Sequence, residues 1–144
     1  MKKHLAILVC LLSVAMISSA QSNDPLASKC AMTAGSNTTY LKDFRVQLGP
    51  GTKQSELRYK EVFPLSKNMK YKFTLCNAEN SKGALIMRIN DDTGRLVLAS
   101  YDQKSGKTYP SVEFVCSKTG TYHLYFDFLN FQQGMGVGVI SLIK

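Results

Sequence analysis

Residues 69–76 read Met-Lys-Tyr-Lys-Phe-Thr-Leu-Cys, with Met69, Tyr71, Phe73 and Leu75 alternating with Lys70, Lys72, Thr74 and Cys76. Successive side chains of a strand point to opposite faces, so this order puts an apolar face on a core and a polar face outward. Residues 121–128 repeat the pattern: Tyr122, Leu124, Phe126 and Phe128 fall on one side, and His123, Tyr125 and Asp127 on the other. Two such runs predict a half-buried sheet.

Further strands are expected on either side of these two. Apolar runs at 84–89 and 95–99 flank Asn90-Asp91-Asp92-Thr93-Gly94, whose residue types suit a tight turn, so they read as a hairpin. Residues 112–116 form a short strand between loop 105–110 and turn 118–120, and 137–143 form a last strand after a glycine-rich turn at 134–136. Residues 40–48 and 57–65 supply two earlier strands, divided by Gly49-Pro50-Gly51. No segment carries a sustained 3.6-residue apolar stripe, so helix is expected to be minor. The predicted fold is all-β: a single antiparallel β-sandwich of jelly-roll type.

Residues 1–20 read as a signal peptide. Lys2, Lys3 and His4 precede an apolar run at 5–17, and Ser18-Ser19-Ala20 offers small residues for cleavage. The run is shorter than the ~20 residues of a membrane span, so no transmembrane segment is expected. Cys10 sits inside that run after Val9, where a lipidation signal would need small residues. Residues 21–39, small and polar, read as an extended N-terminal arm, and residues 40–144 as the sandwich domain. The compact leader points to a bacterial cell and to the periplasm, outer surface or medium. Removing Lys2 and Lys3 from the 18 Lys and Arg leaves 16 against 10 Asp and Glu, a formal charge of +6. An exported protein does not routinely meet nucleic acid, so the expected partner is an envelope protein or an anionic or polysaccharide polymer.

Cleavage leaves Cys30, Cys76 and Cys116 in an oxidising compartment. Strand parity points Cys116 inward with Val112 and Phe114, and Cys76 outward with Lys70 and Lys72. Cys30 on the arm reaches Cys76 more easily, so a 30–76 disulfide with Cys116 as a buried free thiol is the expected pairing. Together with His123 the cysteines lack the short spacings of a zinc site.

No catalytic or cofactor motif stands out, and no cofactor is expected. Beyond the leader His123 is the only imidazole. Asp127 shares its face but lies about 13 Å along a straight strand, out of reach. A hydrolase would need a partner for His123 from another strand. Asp91 and Asp92, with Asp102, offer calcium-type oxygens without an EF-hand spacing. The acidic residues are too scattered to nominate a glycosidase pair. For glycan binding the exposed aromatic candidates are Tyr101, Tyr109 and Tyr125, the first two bracketing the loop 102–108. Lys67, Lys70 and Lys72, with Arg58 and Lys60 on a possible neighbouring strand, are candidates for a basic patch or for blunting a sheet edge.

The run Lys-Thr-Gly-Thr-Tyr-His-Leu-Tyr-Phe-Asp-Phe at 118–128, with Tyr-Lys-Phe-Thr-Leu at 71–75 and Asn-Asp-Asp-Thr-Gly-Arg-Leu-Val at 90–97, resembles bacterial pre-peptidase C-terminal domains. These are small secreted jelly-roll sandwiches in which a Gly-x-Tyr turn enters a late strand, and the similarity covers residues 60–144. The chain is also similar to small exported proteins of Bacteroidota in its Cys-Ala start, its Tyr-Leu-Lys-Asp-Phe segment at 40–44 and its Lys-Thr-Gly-x-Tyr-His turn at 118–123. Its last strands resemble the C-terminal sorting domains of type IX secretion cargo. These resemblances imply an exported sandwich and no enzyme. The expected function is a non-catalytic binding module of the cell envelope, with a carbohydrate-binding module or a small hydrolase using His123 as alternatives.

Overall fold

The alternation at 69–76 becomes strand β3 (Lys70–Asn77), which buries Tyr71, Phe73 and Leu75, and that at 121–128 becomes β7 (Gly120–Phe128), which buries Tyr122, Leu124, Phe126 and Phe128. A computed structural model describes residues 23–52 and 57–144, so the expected signal peptide lies outside the described residues. The other strands are β1 (Thr38–Leu48), β2 (Tyr59–Leu65), β4 (Leu85–Asn90), β5 (Leu96–Ala99), β6 (Ser111–Val115) and β8 (Gly134–Ile143). One helix, α1 (Pro25–Thr33), precedes them.

Each strand of the first half pairs antiparallel with its counterpart in the second: β1 with β8, β2 with β7, β3 with β6, β4 with β5. Pairing of β3 with β8 and of β4 with β7 joins these ribbons into two four-stranded sheets, β1-β8-β3-β6 and β2-β7-β4-β5. An antiparallel ribbon wrapped over itself in this way is a jelly roll, so the all-β sandwich read from the sequence is the fold. Between the sheets the ring of Phe126 lies 5.6 Å from that of Phe44 and 5.9 Å from that of Tyr59, the latter edge to face.

Two expectations need correction. The glycines at 134–136 do not form a turn; they begin strand β8. A Cβ on Gly138 would stand 2.5 Å from the Phe126 ring, and one on Gly134 would overlap Phe128. Glycine is needed there because the rings from the opposite sheet occupy the side-chain space. The reversal occurs earlier, at Leu129–Phe131, where Asn130 and Phe131 have φ of +58° and +55°.

Residues 21–39 are not an extended arm. Within the described part, Asp24 accepts a hydrogen bond from the backbone N–H of Leu26 at 2.9 Å, and Pro25 opens α1, where its missing N–H costs nothing. Ala27, Cys30 and Ala34 are buried along one side of this segment, and Ala27 and Cys30 meet Val137 and Val139 on the outer face of the first sheet. Small residues suit this position because they let the helix lie close to the strands. Cys30 bonds to Cys76 there, and Cys116 is a free thiol only 1% exposed, both as expected. Outward parity brought Cys76 to the bridge, because α1 lies over that face.

The two sheets therefore differ on their outer sides. That of β1-β8-β3-β6 is covered by α1, whereas no described helix or strand lies over β2-β7-β4-β5. Among the described residues no helix is long and apolar enough to cross a membrane.

Candidate functional site

Register places the outward side chains of β2-β7-β4-β5 in rows across the strands. In one row Lys60 is opposite Tyr125, Tyr125 opposite Arg88, and Arg88 opposite Ala99. The row beside it holds Val62, His123, Asn90 and Leu96. Val62 and Leu96 are 53% and 54% exposed, an apolar margin at each edge. Cations reach the Tyr125 ring from both neighbouring strands, the Lys60 Nζ at 5.8 Å and the Arg88 guanidinium at 5.0 Å from its centre. Tyrosine here holds cations in place by attraction to its π-face.

Arg88 is the residue that sequence reading missed. It is half-buried, and its Nε has no hydrogen-bond partner among the described residues. Two positions along the same strand and on the same side, the Asn90 Oδ1 is also buried without a partner. Unsatisfied buried polar atoms are uncommon in folded proteins, and a pair on one face needs a physical reason. Beside Arg88 a concavity of about 630 Å³ is lined by Leu96, Ala99, Tyr101, Gln103 and Lys104. Asp102 also borders it, but its carboxylate accepts from the Lys104 N–H and the Ser105 hydroxyl, and these bonds hold its pKa below the ordinary value. A second concavity of about 320 Å³ continues past Tyr101 and Gln103 towards Leu57, Ile86 and Phe131.

At that end the face is anchored by Asp127. This carboxylate is fully buried, opposite Ile86, and accepts two guanidinium donors and the backbone N–H of Arg58 at 2.8–3.2 Å. It also accepts from the N–H of Phe128 at 2.7 Å, and Arg58 reaches on to the Gly49 carbonyl at 2.7 Å. The hydrogen bonds to Asp127 raise the Arg58 pKa still further. Asp127 thus fastens the 49–58 connection to β7, and its oxygens serve Arg58 rather than His123.

The remaining candidates from the sequence are dispersed. Tyr101 borders both concavities, and Tyr125 shares the same sheet face across Arg88. Tyr109 lines neither; its ring lies under Lys107 at 5.1 Å. The proposed basic patch does not assemble, because Arg58 and Lys60 belong with β2 and Lys70 and Lys72 with β3 of the other sheet. Lys70 pairs with Glu113 at 2.8 Å, and the Lys72 ammonium donates to the Ala34 carbonyl at 2.9 Å beside α1. His123 lies opposite Val62 and Asn90, neither of which can act as an acid or nucleophile beside it.

The calcium candidates divide between two loops. Asp91 and Asp92 are in the β4–β5 turn, whereas Asp102 folds its own loop. Asp91 accepts from the Thr93 hydroxyl at 2.6 Å, from the N–H groups of Thr93 and Arg95, and from the Arg95 side chain. Asp92 faces Lys118 at 3.6 Å. Among the described residues no three His, Cys, Asp or Glu side chains are grouped to share a metal ion. The Thr93 hydroxyl is the foremost cause that lowers the Asp91 pKa from 3.8 to about 2. A depressed carboxylate pKa stabilises the turn above the unfolded value, and that contribution is lost as pH falls from about 4 through about 2. In Thr93→Val a carbon-13 carboxyl titration should show the Asp91 pKa moving up towards 3.8; an unchanged value would remove the hydroxyl as its cause.

No protein-family model matches the chain, and no curated protein matches it.

Proposed function

We propose that this chain is an exported, non-catalytic binding module of the bacterial cell envelope, which holds an anionic partner on the outer face of β2-β7-β4-β5. The observation that carries this reading is the row Lys60–Tyr125–Arg88, two cations braced on one ring across a face that no described element covers. Basic side chains on an accessible face attract anionic partners by long-range electrostatics. The Cys30–Cys76 bridge supports export, since such bonds persist in oxidising compartments. The leader at 1–20 and the resemblance to pre-peptidase C-terminal domains support the same destination and a role without catalysis.

Sedimentation of the mature protein with isolated envelopes of the source cells tests the reading. Replacing both Lys60 and Arg88 by Glu should release the protein at an ionic strength where the parent stays bound, because screening weakens only charge-dependent retention. Retention unchanged by the double replacement would refute this face as the binding surface.

A further inference from the structure

We infer that the Cys30–Cys76 bond is a reducible lock on α1: a dithiol reductant opens it in the folded protein, and the helix then lifts from the outer face of β1-β8-β3-β6. This goes beyond the binding reading above and does not depend on it.

The decisive observation is what the covered face holds. Thr74 of β3 and Ser141 of β8 are 5% and 1% exposed, and neither hydroxyl has a hydrogen-bond partner among the described residues. Both lie on the side of Val137 and Val139: Thr74 is opposite Val139, and Ser141 follows it by two along β8. Ser141 is also opposite Lys72, whose ammonium reaches the Ala34 carbonyl at the end of α1. A hydroxyl buried without a partner carries a desolvation cost, which water removes on exposure. Closing α1 over this face therefore costs free energy at two positions, and the covalent bond offsets it. The contacts of Leu26, Ala27 and Ala31 oppose release, as does the pairing of Asp24 with Arg45. Arg45 keeps 54% side-chain exposure, and ion pairs so exposed hold little.

The bond is open to attack from solvent. Cys76 is half-buried, and both cysteines line a concavity of about 630 Å³ together with Lys29, Thr33 and Asn77. A reductant thiolate entering there attacks the Cys76 Sγ, and the Lys29 ammonium at the rim favours the approaching anion. A bond forms between the reductant sulfur and Cys76 as the Cys30–Cys76 bond breaks, and Cys30 leaves as a thiolate that takes a proton from water. The second thiolate of the reductant then closes its own disulfide and displaces Cys76, which is protonated in turn. Two electrons pass from the dithiol to the bridge, and the two protons shed by the dithiol are matched by those taken up. In an oxidising compartment the locked form is the resting state, and opening needs a dedicated dithiol protein. Cys116, only 1% exposed, takes no part.

Dithiothreitol added to the mature protein without denaturant, followed by trapping with iodoacetamide and peptide mass spectrometry, tests the opening. Amide exchange of the reduced protein tests the release. Cys30 and Cys76 should be alkylated while Cys116 is not, because the buried thiol reports global unfolding. Amides of 25–33 should then exchange about tenfold faster or more than in the oxidised protein, with β7 unchanged and protection restored on reoxidation. Thr74→Val replaces the unpartnered hydroxyl by a methyl group and should make release of the reduced helix several-fold rarer. Alkylation of all three cysteines together would mean that the bridge opens only by global unfolding, and it overturns the lock. Reduction that leaves 25–33 as protected as before overturns it too, as does reduction that also exposes β7. Equal release in Thr74→Val and the parent overturns the buried hydroxyl as its cause.

Discussion

Removing the Cys30–Cys76 bridge is expected to cost about 4 kcal/mol of unfolding free energy, from the chain entropy released when a loop with a sequence separation of 46 is opened. The bond joins α1 to β3, and the helix segment otherwise rests on Ala27, with Leu26 and Ala31, against Val137, Val139 and Tyr40, and on the contacts of Asp24 with Arg45 and of the Ala34 carbonyl with Lys72. A nine-residue helix has little stability of its own, so losing the tether should free it from the sheet. Urea unfolding of Cys30→Ala/Cys76→Ala against the parent measures this directly. We expect a lower midpoint, together with faster amide exchange in 25–33 than in β7. A midpoint shift corresponding to less than about 1 kcal/mol would mean that packing alone holds α1. The buried Cys116 should remain unreactive until global unfolding, since a thiol shielded from solvent does not meet reagent.

The second large effect is at Asp127. Removing one member of a buried ion pair typically costs about 3–5 kcal/mol, because the partner is left without compensation. Here the Arg58 side chain keeps 27% exposure and can turn towards water, so Asp127→Ala should fall at the lower end, about 3 kcal/mol. The loss includes the backbone N–H groups of Arg58 and Phe128, both of which now donate to this carboxylate. Asp127→Asn keeps an acceptor oxygen and should lose less. Thermal unfolding should show Asp127→Ala melting about 10 °C below the parent. Equal melting temperatures for Asp127→Ala and the parent would show that the pair contributes nothing to stability.

The sandwich was legible because most strands obey a period of two: at 70–76 and 121–128 every apolar position read as inward is buried, while Thr74 and Asp127, read as outward, are buried as well, Thr74 on the face that α1 covers and Asp127 by its bonds to Arg58. The places where reading failed have identifiable causes. Helix α1 and its C-cap bury only small residues, Ala27, Cys30 and Ala34, whose spacing by three and four is a faint apolar signal. Asp24-Pro25 was its start signal, a cap followed by proline at the first helical position. Strand β8 was shortened because Gly134 and Gly136 resemble a turn until the Phe128 ring and the Cys76 carbonyl that occupy their side-chain space are known.

The candidate site was legible only in part. Tyr101 and Tyr125 could be nominated as exposed aromatics, but their relation depends on β7, β4 and β5 lying side by side, a long-range pairing that local pattern does not encode. The same holds for Arg88, which is one more basic residue in the sequence and gains its meaning from Tyr125 on the next strand. Lys70 and Lys72 were grouped with Arg58 and Lys60 by nearness in sequence, and the wrapping of the ribbon sends them to opposite sheets.

The most direct test of the binding face is amide chemical-shift mapping of the mature protein, titrated with solubilised envelope material that retains it in the sedimentation assay. We expect the largest shifts at Lys60, Val62, Arg88, Tyr101, Gln103 and Tyr125, which share the outer side of β2-β7-β4-β5. Shifts concentrated instead on α1 and the strands beneath it, around Lys29 and Lys72, would contradict that assignment.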